Sequence, residues 1–225
     1  MKKLLAFFSV ILMAGSLYAK EVTLLMDWFP QGNQSGYWQA QFDNQYHDDV
    51  KITIKSGGPK INTTAAVASG QAEFGLQASD SVMLANAKGA GLKGIFVSLN
   101  HVPYTLVFHP NTGVNSVKDL DGRPFAVKMG VTYWKWVKHT YQLNAVKEFP
   151  LTGDLGLFAR TPQQFQQGYS LFLPARLAAK GVASEQITVE SLGYRPYSVL
   201  FTTDKLIKEN PELVQAVVDR LSISF

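Results

Sequence analysis

The sequence predicts an α/β fold divided into two lobes. Short apolar runs alternate with helix-like segments, the connections between them are short, and the rhythm stops at His109-Pro110 and starts again. Such alternation favours strands that pair mainly in parallel, covered by helices. The chain has 225 residues, room for one large domain or two small ones. Its 46% hydrophobic and 17% charged residues exclude a disordered polypeptide. No internal repeat or low-complexity segment interrupts it. A hinge is expected near Pro103–Asn111, with the return near Tyr194–Tyr197.

Each element has its own signal. Glu21–Met26 is an apolar strand, broken at Asp27-Trp28-Phe29-Pro30 because proline cannot continue a ladder. A polar turn from Gln31 to Gly36 leads into a helix over Tyr37–Asn44. Val50–Ser56 alternates apolar and polar residues, the pattern of a strand. Asn62 or Thr63 caps a short helix ending at Gly70. Ala72–Leu76 is a strand, and Ser79-Asp80-Ser81 offers capping oxygens to a helix through Lys88. Gly89 and Gly91 end that helix. Leu92–Leu99 and Tyr104–Phe108 are strands. Val117–Leu120 is a short helix and Pro124–Lys128 a strand. Thr132 caps a helix to about Leu143. Thr161-Pro162 opens a helix through Gln167, with a strand over Tyr169–Leu173 and a helix over Ala175–Lys180. Ile187–Ser191 and Ser198–Thr202 are strands. Asp204 and Asn210-Pro211 start two last helices, since proline suits a first turn.

The N-terminus stands apart. Lys2-Lys3 precede an apolar stretch from Leu4 to Gly15, shorter than the roughly 20 residues a bilayer requires. This is the pattern of a secretory signal peptide, Met1–Ala19, cut after Ala19 or alternatively near Ala14-Gly15-Ser16. The competing reading is a membrane anchor. Without Lys2 and Lys3 the formal net charge falls from +4 to +2. A soluble, periplasmic chain is expected, with no membrane insertion after processing. The chain has no cysteine, which excludes a lipoprotein, disulfides, thiol catalysis and Cys-ligated metals. The four histidines are scattered, so no metal site and no cofactor are expected. No run of basic residues suggests a nucleic acid.

Catalytic motifs are absent: there is no G-x-S-x-G, P-loop or G-x-G-x-x-G. The Asp48-Asp49 pair reads as a solvated turn. Instead, aromatic residues collect at loop-to-helix junctions: Trp28 after the first strand, Tyr37 and Trp38, then Tyr133, Trp134 and Trp136 beside Thr132. Ligands of open α/β sheets bind beyond the carboxyl ends of the strands, where aromatic planes stack on flat rings. The alternative for each is ordinary core packing. Ser79 and Asp80 are either plain caps or partners for polar ligand atoms. Asp80 would repel a sulfonate, favouring a neutral or amino-bearing ligand.

These residues carry a resemblance. Asp27-Trp28-x-Pro30 with Asn33, Gly36 and Ala40 resembles the opening motif of the thiamine-pyrimidine synthase-like family, whose fold is shared by periplasmic proteins that bind sulfonates, taurine and nitrate. Ala68–Gly75 followed by Ser79-Asp80-Ser81-Val82, then Val117–Arg123, Gln166–Tyr169 and Asn210–Val214, resemble later family segments, so the similarity spans Glu21 to about Asp219. It implies a periplasmic binding protein-like (type II) fold: two-lobed, α/β, with a mixed sheet in each lobe and a ligand cleft between them. The divisions expected are 1–19 signal peptide, 20–106 first lobe, 107–194 second lobe and 195–225 return to the first. The resemblance implies that Trp28 stacks on a small-molecule solute, with Asn33 and Tyr37 on the same wall and Ser79 and Asp80 on its polar edge. Thr132, Tyr133 and Trp134 would contribute from the second lobe, and Tyr169 would line the site. The implied partner is an ABC transporter permease, and the protein is expected to be a monomer.

The chain also departs from the family. It has Gln34 where the synthases have a donor histidine, and no cysteine, so an enzyme is not expected. Leu171-Phe172-Leu173-Pro174 replaces a polar segment. The family usually continues beyond the Asn210-Pro211 helix, leading to the expectation of a shortened first lobe with exposed apolar surface and low stability. The functional expectation is a binding protein for a planar solute such as a thiamine-precursor pyrimidine. The alternatives are a taurine-like sulfonate or a flavin-like solute, a synthase, and a remnant without function.

Overall fold

The computed structural model describes residues 19–46 and 50–225. The expected signal peptide up to residue 18, and the Asp48-Asp49 turn, therefore lie outside the described residues. In chain order the strands are β1 (Lys20–Leu25), β2 (Val50–Lys55), β3 (Phe74–Ala78), β4 (Leu92–Leu99), β5 (Tyr104–Phe108), β6 (Pro124–Val127), β7 (Lys147–Pro150), β8 (Phe165–Tyr169), β9 (Glu185–Thr188) and β10 (Ser198–Thr203). The α-helices are α1 (Ser35–Phe42), α2 (Thr63–Ala68), α3 (Ser79–Asn86), α4 (Thr132–Tyr141), α5 (Leu155–Arg160), α6 (Leu173–Ala178), α7 (Asp204–Glu209) and α8 (Pro211–Ser224).

The strands form two sheets, ordered β2-β1-β3-β10-β4 and β7-β6-β8-β5-β9. β1 runs parallel to β2 and β3, while β10 runs antiparallel to β3 and β4. β6 runs parallel to β7 and β8, while β5 runs antiparallel to β8 and β9. The sheets are therefore mixed, as the family resemblance implies, and not mainly parallel as the strand–helix rhythm suggested. The reason is topological: β5 and β10 enter from the other lobe without a helical crossover, so nothing forces them parallel.

Local sequence accounts for most elements. In β2 the residues Val50, Ile52 and Ile54 face the core and the lysines face solvent, a period of two. In α8, Val214, Val217 and Leu221 recur at helical spacing and are buried. Asn62 caps α2 by accepting from Ala65 N at 3.1 Å. One core gathers Val22, Leu24, Ile52, Phe74, Leu200 and Val217. The other gathers Leu106, Phe125, Phe165, Tyr133, Trp134 and Val137. Among the described residues no helix is long and apolar enough to cross a membrane.

Several expectations are corrected. The segment read as a helix over 161–167 is a turn that runs into β8, the central strand of its sheet. The segment read as a strand over 169–173 is a turn leading into α6. β7 and α5 carry no clear sequence signal and were not expected. Ser79 and Thr132 are not caps; each is the first residue of its helix, after Ala78 and Val131. α8 extends through Ser224, past the Asp219 limit of the family resemblance.

The crossings between the sheets run side by side. Val102 N donates to Pro196 O at 2.7 Å, and Ser79 N to Tyr197 O at 2.8 Å. β5 pairs with β8 from its first residue, Tyr104. A division drawn after residue 106 would cut this strand, and we propose that the second lobe begins at Tyr104 and ends near Tyr194.

Candidate functional site

The site begins with the strand ends. β1 and β2 are parallel, so the loops leaving their carboxyl ends are neighbours. Met26 N donates to Lys55 O at 2.9 Å and Gly57 N to Trp28 O at 3.1 Å. These bonds fix Asp27 and Trp28 at the edge of the first sheet. Opposite them stand Lys128, from the end of β6, and Tyr169, from the end of β8. A cleft of about 730 Å³ lies between the two sets.

Several contacts span the lobes. Lys128 Nζ donates to the Asp27 carbonyl at 3.2 Å and lies 5.6 Å from the centroid of the Trp28 ring, within cation–π range. The hydroxyls of Ser81 and Thr132 are 3.3 Å apart. Phe172 faces Gly32, whose position would put a Cβ 3.5 Å from the phenyl ring. Near the crossings between the sheets, Tyr194 donates its hydroxyl to Asp80 Oδ2 at 2.8 Å, while Asp80 Oδ1 accepts from Ser81 N at 2.7 Å.

Burial shapes the charges. It pushes the Asp27 carboxyl up to about 6, against the opposing pull of the Lys128 charge and a hydrogen bond from Gln34 Nε2 at 3.1 Å. Desolvation also lowers Lys128, opposed by Asp27. Asp80 is raised by burial, with the Tyr194 hydroxyl opposing. The hydroxyls of Tyr104 and Tyr169 are held well above their ordinary range by burial and remain proton donors at neutral pH.

The Asp27 shift has a measurable consequence. Its folded pKa lies above the ordinary 3.8, so between about pH 4 and 6 the folded chain binds more protons than the unfolded one. Stability then falls as pH rises through that window. Asp27→Asn keeps an acceptor for Gln34 and removes the buried charge. It is expected to melt higher than wild type at pH 7.5 and at about the same temperature near pH 4. A thermal melt in which the variant is the less stable at pH 7.5 would overturn this account.

Of the residues singled out in the sequence, Trp28, Asp80, Thr132 and Tyr169 line the cleft. Tyr37, Tyr133 and Trp134 are fully buried in the two cores. Tyr37 packs edge-on against Phe225 at 4.9 Å, Tyr133 stacks on Tyr104 at 4.4 Å, and Trp134 packs on Phe125 at 4.4 Å. They point inward because helices bury their aromatic faces against the sheet. Asn33 lies in a 3-10 turn beside the cleft without lining it. Ser79 sits beside the returning crossing, its Oγ accepting from Tyr197 N at 3.0 Å.

The structure adds Asp27, Gln77, Tyr104, Lys128, Gln166 and Gln167 to the wall. Gln167 Oε1 accepts from Lys128 N at 2.8 Å and so orients the strand end. The sequence signal for Lys128 is a charge directly after an apolar strand, at the carboxyl end where ligands bind. For the glutamines it is an amide pair inside an element otherwise able to be a buried strand. Among the described residues no three His, Cys, Asp or Glu side chains gather as a metal site.

Comparison with known proteins agrees with this geometry. A family model described as NMT1/THI5 like matches residues 33–148, about half of the chain. A 4-amino-5-hydroxymethyl-2-methylpyrimidine phosphate synthase from Legionella pneumophila is 30% identical over 112 residues, which cover 49% of this chain and 35% of that protein. The matched part thus spans about a third of that relative's length. Among solved structures, the alkanesulfonate-binding protein SsuA from Xanthomonas axonopodis pv. citri, bound to MOPS, aligns with a TM-score of 0.71 at 16% identity. The alignment covers 92% of this chain and 73% of that one. The periplasmic aliphatic sulphonate binding protein SsuA from Escherichia coli aligns with a TM-score of 0.68 at 14% identity, covering 91% and 68%. Likeness at that identity shows a common fold.

Proposed function

The chain belongs to the NMT1/THI5-like family, and from that premise we propose that it is the solute-binding component of an ABC importer. In this reading it is exported to the periplasm on the Met1–Ala19 segment, acts as a monomer and delivers its solute to a permease. The proposed solute is small and planar, such as a thiamine-precursor pyrimidine. The observation that carries the reading is the cleft of about 730 Å³ between two hinged lobes with Trp28 on its wall. That volume lies within the usual range for small-molecule sites, and two lobes joined by paired crossings can close on a ligand by hinge motion.

The wall supports a flat, hydrogen-bonding ligand. Lys128 covers one face of the Trp28 ring, which leaves the other for a stacked ring. Gln166 is 4% exposed and borders the cleft, so its amide offers two donors and an acceptor to a ring edge. The tyrosine hydroxyls add donors.

A sulfonate is the second reading, and a flavin-like solute a variant of the first. The sulfonate is favoured by fold likeness to sulfonate-binding proteins, and Asp80 is a weaker objection to it than the sequence suggested. Both of its oxygens already accept hydrogen bonds, which weakens the repulsion that the sequence suggested. A synthase activity is not proposed. Gln34, at the donor position, is buried and gives its amide to Asp27.

Binding of pyrimidine, flavin and sulfonate compounds to the purified chain, followed by calorimetry and tryptophan fluorescence, tests the reading. Trp28→Ala is expected to weaken a planar solute by about 5- to 150-fold, the value of one aromatic stack of roughly 1–3 kcal/mol. Unchanged affinity in Trp28→Ala would remove the stacking role, and binding of aliphatic sulfonates alone would favour the second reading.

A further inference from the structure

We propose that the cleft selects solutes whose ring carries an acidic group, a carboxylate, sulfonate or phosphate, and that Lys128 is the partner of that group. This inference rests on the solute-binding reading above and adds a charge to its ligand.

The argument starts from what lines the cleft. Lys60 and Lys88 reach it from the first lobe, and Lys128, Lys135 and Arg176 from the second; the facing carboxylates are Asp27 and Asp80 alone. The carboxylates are already engaged. Asp80 accepts from Ser81 N and the Tyr194 hydroxyl, and Asp27 accepts from Gln34. The cations are not. None of the five cleft cations has a carboxylate within 4 Å among the described residues. Five cations thus share one concave surface without an ion-pair partner there. Low-dielectric walls of one sign focus the field within a cleft and raise the local concentration of oppositely charged solutes.

Lys128 differs from the other four. Lys60, Lys88, Lys135 and Arg176 are exposed, and water solvates them. Lys128 is half-buried: its ammonium donates to the Asp27 carbonyl and lies over the face of Trp28, and the Asp27 carboxylate acts on it from beyond ion-pair distance. A desolvated ammonium with an incomplete set of acceptors gains most from an anion placed beside it. Its position over Trp28 also ties charge to shape: an acid group held at Nζ sits next to the indole that stacks the ring. Gln167 holds the Lys128 backbone in place, so this placement does not depend on the ligand.

Matched pairs test the inference: benzoate against benzamide, benzenesulfonate against benzenesulfonamide, and 4-amino-5-hydroxymethyl-2-methylpyrimidine phosphate against the unphosphorylated pyrimidine. Inorganic phosphate and sulfate serve as ring-free anions. Calorimetry on the purified chain is expected to show the acidic member of at least one pair binding tenfold or more tighter than its neutral partner. It should also bind tighter than either inorganic ion. Raising sodium chloride from 20 to 500 mM should weaken the acidic member and leave the neutral one unchanged. Lys128→Met should bring the pair to parity, and Lys128→Arg should restore most of the difference. Neutral members that bind as tightly as acidic ones would overturn this inference and leave the planar-solute reading intact. Failure of every ring compound, charged or neutral, would overturn that reading and the inference with it. Phosphate or sulfate binding as tightly as the acidic rings would reduce the site to a general anion site and overturn the ring-bearing proposal.

Discussion

Gly57→Ala is expected to cost both stability and solute binding, although Gly57 is not one of the residues that line the cleft. A Cβ at this position would lie 2.1 Å from the Met26 carbonyl oxygen, 2.5 Å from the Asp27 carbonyl carbon and 2.6 Å from Trp28 N. All three are backbone atoms, so no rotamer change relieves the overlap. The loop that carries Asp27 and Trp28 must move, and the bond from Gly57 N to Trp28 O at 3.1 Å is strained or lost. Overpacking in a tight core costs about 1–3 kcal/mol and occasionally more, and the lost hydrogen bond adds on the order of 1 kcal/mol. Against a total margin of about 5–15 kcal/mol this is a large share. Displaced Trp28 and Asp27 would leave the positions facing Lys128, so affinity should fall at least as far as in Trp28→Ala. Gly94→Ala is the control. Its nearest atom would be Val199 Cβ at 3.9 Å, an ordinary contact, and its melt should match wild type. A Gly57→Ala chain that melts and binds as wild type does would refute the tight seating of the loop.

Legibility of the sequence followed the job of each segment. β2 and β10 were readable because their apolar residues serve the core alone. β8 was not readable for the opposite reason. Its sequence Phe-Gln-Gln-Gly-Tyr puts amides where a central strand would ordinarily carry valine or isoleucine, because Gln166 and Gln167 face the cleft and the end of β6. Local rules fail where residues serve a site, and here the misread strand is a cleft wall. The aromatic residues failed in the other direction. Tyr133 and Trp134 stand at a helix start beyond a strand end, the right place for a ligand contact, but α4 turns them into the sheet. Their neighbours Thr132 and Lys135 face the cleft. One helical position is 100° of rotation, and sequence alone does not set that phase when both faces carry aromatics. Asp27 and Lys128 were missed because their meaning is joint: they lie 101 residues apart and meet only when the lobes face each other.

Phe165→Ala is expected to separate the stability of the second lobe from its binding surface. Phe165 is fully buried on β8, stacked on Phe125 at 4.1 Å and 5.8 Å from Trp134. Truncation of a buried phenylalanine costs about 3–5 kcal/mol, or a fall in Tm of roughly 6–20 °C for a chain of this size. The vacated volume adjoins Gln166 and Gln167 in the same strand, and the bond from Lys128 N to Gln167 Oε1 depends on that strand keeping its place. Phe201→Ala is the matching change in the first lobe. Phe201 is equally buried, on β10, and packs against Val67, Val199 and their neighbours, in the other sheet from Gln166 and Gln167. Both variants should lose similar stability. At 10 °C, where enough of each remains folded, Phe165→Ala should bind solute at least tenfold more weakly than Phe201→Ala. The asymmetry follows from β8 serving as core at its start and as cleft wall towards its carboxyl end. Equal affinities in the two variants would mean that β8 holds its position through backbone pairing with β5 and β6 alone, and that the phenylalanine core does not transmit order to the glutamines above it.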